Sequence, residues 1–286
     1  MIKNRTASFI ILAVVYALAI TGGYIFYRQL FCDYRLVLLY ADIFATVITF
    51  IFSVIFKNAS VYAPYWSVQP LVIIAFFAYS YGLNMMGFFL TLAISYWGLR
   101  LTSNWAYTFS NLTVQDWRYT MLKEKTGIFY PFINFIGIHL VPTLIVYGCT
   151  LPAVTAIHDR VQFKPLCLIF IALSIGAATL QLIADIQMHR FQKNRTTTFI
   201  ECGVWKHGRH PNYLGEILMW WGIGLACLTA MPGNYMLLTG TAANTILFLC
   251  VSIPLADGRQ SKKNGYPEYK KRTRIFISKK TGCVRL

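Results

Sequence analysis

Apolar residues fall along the chain in long blocks parted by short polar links. The blocks run over 7–27, 36–56, 67–82, 85–102, 129–150, 164–184, 213–230 and 234–255. A helix needs ~20 apolar residues to cross the hydrocarbon of a bilayer. The pattern therefore predicts an all-α fold, a polytopic bundle of about eight transmembrane helices with a range of seven to nine. The stretch 67–102 reads either as two spans or as one long broken helix. The block from Ala7 to Tyr27 follows Lys3 and Arg5, as a signal peptide would, but Arg28 and Phe31 follow it where a small-residue cleavage site would stand. It reads as a retained first span.

Three polar connectors, Ser103–Thr126, Asp185–Pro211 and Asp257–Leu286, are each separated from the next by two spans, so all three fall on one face. The links 151–163 and 231–233 carry Arg160 and no basic residue, respectively. By the positive-inside rule the three connectors and the C-terminus are expected in the cytoplasm. No internal repeat or second domain is visible, and the chain is expected to form a single membrane domain over 1–286, with two N-terminal spans in 1–60.

Composition agrees. Of 286 residues, 57% are hydrophobic and 13% charged, with a mean hydropathy of +0.53. This is an integral, multi-pass membrane protein by composition. Lysine and arginine exceed the acids by 26 − 10 = 16, and ten of the 26 basic residues lie between Arg259 and Arg285. Basic flanks on apolar spans report orientation and contact with anionic lipid, so membrane lipids and no nucleic acid are the expected partners. The C-terminal CVRL is no retention signal, and a bacterial inner membrane is expected ahead of the endoplasmic reticulum. Seven cysteines are scattered singly with no CxxC spacing, which indicates neither a disulfide framework nor a zinc site. The sequons at Asn58, Asn111 and Asn194 read as chance matches.

Against this apolar background, a few polar residues stand out. Asp42 sits inside the second span, where an acid costs at least ~2.5 kcal/mol unless it faces a partner or a watery cavity. It is a candidate functional group or a structurally paired acid. Asn134 and His139 share one helical face and raise the same choice. Tyr62, Tyr65, Trp66 and Gln69 open the third span, as interface anchors or as site residues.

The stretch Gly203–Glu216, GVWKHGRHPNYLGE, combines several signals. Gly203 and Gly208 permit a tight turn, Arg209 and His210 supply donors, and Pro211 suits a first helical position. Donors and free helix N–H groups together favour an anion such as a phosphate, whereas a lipid-headgroup anchor would explain Arg209 and His210 but not Asn212 and Glu216. Asp185, with Gln181 before it and His189, Arg190, Lys193 and Arg195 after it, would extend the wall of such a pocket. In the cationic tail, Tyr269, Lys271 and Arg272 either close over an anionic cofactor or lie against lipid.

The strings WKHGRHPNYLGE with a following WWG, the Ala184–Asp185 pair, NFIGIHLVPTLIVY, PYWSVQP, DWRY and a closing YxxYxxRT together resemble the DUF1295 membrane proteins of the steroid 5-alpha-reductase superfamily. That superfamily includes sterol C14 reductases and, more distantly, isoprenylcysteine carboxyl methyltransferases. The resemblance runs from about Asp42 to Ile277. It implies a reductase-like core over 61–286 whose C-terminal half, 180–286, holds NADPH, and a lipophilic substrate that enters from the bilayer. Asn212 and Glu216 match the polar positions of the superfamily's cofactor-contacting segment, and Asp185 matches an acidic contact. Trp97 and Arg100 match an aromatic residue three before an arginine. Trp97 cannot donate a phenolic proton, which puts Tyr96 or Tyr65 in its place. The Gln-Glu pair of the steroid enzymes is here Gln69 without a glutamate, which argues against a steroid substrate.

The resemblance thus implies an NADPH-dependent oxidoreductase acting on a C=C bond of enone type, with Asp42, Tyr65, Gln69, Tyr96 and His139 as the catalytic pool. Arg100, Asp185, Arg190, Lys193, Arg209, His210, Asn212, Tyr213, Glu216, Tyr269 and Arg272 are the expected cofactor contacts. The alternative is an S-adenosylmethionine-dependent isoprenylcysteine or lipid methyltransferase, since RHPxYxG is shared with those enzymes. They carry a Glu-Glu pair where this chain reads Leu255-Ala256-Asp257-Gly258-Arg259. A cationic tail also suits the 2′-phosphate of NADPH better than a sulfonium. A scaffold that has kept the fold without its chemistry is the third reading.

Overall fold

The computed structural model describes residues 3–195 and 197–277, so the last part of the C-terminal connector lies outside the described residues. Among them every regular element is helical, as the block pattern predicts. Seven helices are long and apolar enough to cross a membrane. They are Arg5–Gln29, Tyr34–Ile55, Ala59–Tyr81, Trp117–His158, Cys167–Lys193, Pro211–Ala230 and Tyr235–Gln260. All eight sequence blocks fall on helices. The helix of the fourth block, Met85–Thr108, is also long, but carries Arg100 and Asn104 and is not among the seven.

Chain contacts divide the protein into two compact units, Met1–Val161 and Gln162–Leu286. The first contains α1 (Arg5–Gln29), α2 (Tyr34–Ile55), a 3₁₀ turn at Ala59–Tyr62, α3 (Tyr65–Tyr81), α4 (Met85–Thr108), α5 (Trp117–Thr126), α6 (Tyr130–Ile133) and α7 (Val141–His158). Short polar side chains start these helices by accepting from the first-turn amides. Asn4 accepts from Ala7 N at 3.0 Å, Asp33 from Arg35 N at 3.0 Å, Asn84 from Gly87 N at 2.9 Å and Asp116 from Arg118 N at 2.9 Å. The 67–102 stretch is a helical hairpin: Gly82, at φ +71°, ends α3, and Asn84 starts α4. The left-handed φ at Gly82 is open to glycine at little cost.

Within this unit α1 packs on α2, while α3 lies against both α4 and α7. The turn at Ala59–Tyr62 is bound to the loop between α4 and α5. Asn58 Nδ2 donates to Leu112 O at 2.7 Å, and Ser60 Oγ accepts from Asp116 N at 2.8 Å.

Between α6 and α7 the backbone widens into a π-helix, Asn134–Leu140, in which Val141 N donates to Ile136 O. Pro142 follows at once. Its ring cannot donate and would clash with the carbonyl four residues back, and a π turn relieves both. The second unit repeats the device at Phe248–Ser252, just before Pro254.

The second unit contains α8 (Cys167–Lys193), a 3₁₀ turn at Gly203–Lys206, α9 (Pro211–Ala230), α10 (Thr239–Leu247), α11 (Ile253–Gln260) and α12 (Tyr266–Arg272). Here α8 and α9 run tightly together. Ser174 Oγ donates to Met219 O at 2.9 Å and Cys167 Sγ to Ala226 O at 3.3 Å, so small residues allow backbone and side chain to meet. α8 runs past the apolar block and carries Gln181, Asp185, Arg190 and Lys193 on one helix.

Candidate functional site

Three of the residues singled out by sequence meet in the first unit. Asp42, on α2, accepts from the Tyr65 hydroxyl at 3.2 Å through Oδ1 and from Gln69 Nε2 through Oδ2. Tyr65 and Gln69 are four residues apart on α3, one helical turn, and so face the same acid. Exposures of 6% for Asp42 and 4% each for Tyr65 and Gln69 place the group in the core. The three line one end of a cavity of about 180 Å³ whose remaining wall is apolar or aromatic, with Tyr16, Ile20, Tyr24 and Tyr27 from α1, Leu38 and Ala45 from α2, and Val72 and Phe76 from α3. Gln69 Oε1 is buried without a hydrogen-bond partner. The amide turns its nitrogen to Asp42, which leaves the oxygen over.

His139 is fully buried in the π turn, where its Nδ1 lies 2.9 Å from Asn134 O and its ring lies 4.7 Å from that of Tyr62. Its Nε2 and Asn134 Oδ1 are both buried without a hydrogen-bond partner. Tyr62 in turn shares a hydrogen bond of 2.8 Å with Thr143, which lies 3.1 Å from Thr46. His139 thus adjoins the neighbours of the Asp42 group but does not line the cavity. Tyr96, half-buried on α4, does not line it either, and Trp97 and Arg100 are buried on the same helix.

In the second unit, the loop before α9 is organised by an acid that the sequence reading passed over. Asp257 accepts from Arg209 Nη2 at 2.9 Å and Nε at 3.3 Å, from His210 Nε2 at 2.9 Å and from the Tyr266 hydroxyl at 2.9 Å. Lys270 Nζ lies 3.5 Å away. Arg209 Nη1 also donates to the carbonyls of Lys270, at 3.3 Å, and Thr273. Arg209 and His210 are therefore engaged by the protein's own carboxylate, a different use from the direct grip on a phosphate that their position suggested. Burial holds His210 below its ordinary range, against the raising effect of Asp257, and pushes the hydroxyls of Tyr266 and Tyr269 up, the latter to about 12.

Over this loop passes the segment after α12. Arg209 N donates to Arg274 O and His210 N to Ile275 O, each at 3.1 Å. A Cβ on Gly208 would stand 1.9 Å from Phe276 O, so only glycine admits the crossing. Beside the crossing opens a pocket of about 550 Å³ lined by Arg209, Lys270, Lys271, Thr273, Arg274 and Ile275–Ile277.

The other expected cofactor contacts are spread through this unit. Glu216 is buried and accepts from Gln181 Nε2 and from Trp220 Nε1, both at 2.9 Å. Tyr213 stacks on His210 with centroids 5.2 Å apart, and Asn212 Oδ1 is buried without a hydrogen-bond partner. Tyr269 donates to Trp205 O at 2.6 Å, Arg272 pairs with Glu201, Asp185 is half-buried, and Arg190 and Lys193 are exposed. Arg100 alone of these candidates belongs to the first unit.

Asp257 carried a legible signal, since it is a lone acid at the end of an apolar run, the feature that marked Asp42. The aromatic wall from α1 carried none. Tyr16, Tyr24 and Tyr27 are unremarkable in a membrane span, and only packing puts them around a cavity.

Fold and composition define a polytopic α-helical membrane protein with a buried polar cluster at the end of an apolar cavity. The model of the family described as "Protein of unknown function (DUF1295)" matches residues 49–273, and the chain belongs to that family. No curated protein and no solved structure matches it. α1 and the segment of α2 that carries Asp42 precede the matched region.

Proposed function

We propose that this protein is an NADPH-dependent reductase of a C=C bond conjugated to a carbonyl in a lipophilic substrate drawn from the bilayer. The observation that carries the reading is the Asp42–Tyr65–Gln69 group, a set of proton-bearing side chains at the end of an apolar cavity among membrane-spanning helices. Ionisable groups in such positions are functional by default, because they are costly to keep.

The Tyr65–Asp42 contact, at 3.2 Å, is longer than the usual ~2.7–2.8 Å of a hydroxyl hydrogen bond. The Tyr65 hydroxyl can turn from Asp42 toward a substrate oxygen, while Asp42 orients the phenol and Gln69 fixes Asp42. A donor aimed at a carbonyl oxygen stabilises the negative charge that gathers there as the β-carbon is reduced. The apolar wall excludes water and leaves room for a greasy body.

For the cofactor, the fit rests on the pocket of about 550 Å³ beside α12, lined by Lys270, Lys271 and Arg274 together with the apolar side chains of Ile275, Phe276 and Ile277. The pocket is open to the surface. Cations there suit phosphate groups, and a phosphate-bearing cofactor fits them better than a sulfonium does. Arg209 serves that wall from beneath, held by Asp257. A reduced nicotinamide would supply a hydride to the β-carbon and be oxidised, and the resulting enolate takes a proton, ultimately from solvent, at the α-carbon, so the double bond becomes single.

The test compares thermal stability of the purified protein with NADPH, NADH and S-adenosylmethionine, since a ligand of the folded state raises the unfolding temperature. The reading expects a shift with NADPH. A shift with S-adenosylmethionine alone would make the protein a methyltransferase.

A further inference from the structure

The cavity in the first unit has a shape and a polar end that specify its occupant more closely than the reduction of a double bond requires. Its wall follows α1 from Tyr16 to Tyr27, which at ~1.5 Å per residue is about 16 Å of length. Its volume is about 180 Å³. A space that long and that small is narrow. It suits one extended chain better than a body of fused rings.

Two kinds of hydrogen-bonding capacity meet at the polar end. Tyr65 offers its hydroxyl proton to an acceptor. Gln69 Oε1 offers the reverse, since it is an acceptor on a side chain 4% exposed that lines the cavity and has no hydrogen-bond partner among the described residues. A buried acceptor left unmet costs about 1–3 kcal/mol. A ligand that brings an N–H or O–H to it recovers that cost, and one that brings only a carbonyl does not.

We infer that the cavity takes a chain-like unsaturated lipid whose head presents a carbonyl oxygen and an N–H or O–H side by side, as an α,β-unsaturated amide does. The carbonyl accepts from Tyr65, the adjacent N–H donates to Gln69 Oε1, and the chain runs along α1 past Tyr24, Tyr27 and Phe76. The two groups that read the head, Tyr65 and Gln69, lie within the matched family region, whereas the wall from α1 and α2, with Asp42, precedes it. The inference rests on the proposed reductase function for the choice of an unsaturated carbonyl, but the binding it asserts needs no cofactor.

The experiment measures binding of trans-dec-2-enamide, its isosteric methyl ketone trans-undec-3-en-2-one and a four-ring steroid enone to the full chain in lipid nanodiscs, without NADPH. The amide is expected to bind at least about tenfold more tightly than the ketone, whose methyl group leaves Gln69 Oε1 unmet. Gln69→Leu is expected to bring that ratio to about one. Val72→Trp, which fills the cavity from its half-buried wall, is expected to abolish binding of both chains with the ligand-free unfolding temperature unchanged. Should Gln69→Leu fail to fold, the wild-type ratio and the Val72→Trp result decide. Equal or tighter binding of the ketone, tighter binding of the steroid, or chain binding that survives Val72→Trp would overturn the inference. Amide binding without NADPH-dependent consumption would leave it standing and remove the reductase reading instead.

Discussion

Replacing Asp257 with alanine should unsettle the second unit by an amount that the geometry fixes in advance. The side chains of Asp257 and Arg209 are each 7% exposed, and the carboxylate takes two contacts from Arg209, one from His210 and one from Tyr266. Without it, the Arg209 guanidinium stays buried with only the carbonyls of Lys270 and Thr273. Removing one partner of a buried ion pair costs about 3–5 kcal/mol, because an uncompensated charge remains. For a chain of this size each kcal/mol moves the unfolding temperature by roughly 2–4 °C, so a fall of roughly 6–20 °C is expected. Thermal unfolding in nanodiscs, followed by tryptophan fluorescence, measures it. The cost belongs to the orphaned charge, so Arg209→Met combined with Asp257→Leu should recover most of the loss. An alanine variant within about 1 °C of wild type, or a double variant with additive losses, would refute the view that Asp257 organises this loop.

Other outcomes follow from the same contacts. Burial keeps His210 below its ordinary value, facing Asp257, Arg209 and Lys270, so the unfolded chain takes up a proton first as the pH falls. Stability should be full above about pH 6.5, the unfolded value, and decline below it, and His210→Asn should flatten that decline in a series of unfolding temperatures. Gly208→Ala sets a methyl group against Phe276 O and should lift the segment after α12, seen as faster proteolysis after Lys270 and weaker NADPH binding. Tyr65→Phe and Asp42→Asn should each lower turnover, the former by about a hundredfold or more, while NADPH affinity stays unchanged in a fluorescence titration. Full activity in both would reduce the Asp42 group to a structural role.

Much of the architecture was legible because membrane spans announce themselves. An apolar block of spanning length has few soluble alternatives, and all eight blocks fall on helices. The hairpin at 82–84 was the ambiguous element, since Gly82 and Asn84 serve equally as a turn or as a kink in sequence. The site was legible where burial itself was the signal. Asp42 stood out as an acid at depth, and Tyr65 and Gln69 as polar residues one helical turn apart at the start of a span. Proximity across helices was not legible. Arg209 and His210 look like a phosphate grip until Asp257, from α11, is seen beneath them, a pairing that depends on how α9, α11 and α12 meet. The cavity wall was invisible for the same reason, because a tyrosine in a span does not declare whether it faces lipid or a neighbouring helix.

The measurement that bears most directly on the central claim follows the hydrogen itself. The purified chain in nanodiscs would be given NADPH carrying deuterium at the transferable position, with a chain-like enone or enamide, and the product analysed by mass spectrometry and NMR. The account predicts a saturated product with one deuterium at the β-carbon, formed at a rate that Tyr65→Phe and Asp42→Asn depress. Product free of deuterium, or no product while S-adenosylmethionine transfers a methyl group to a lipid acceptor, would contradict it.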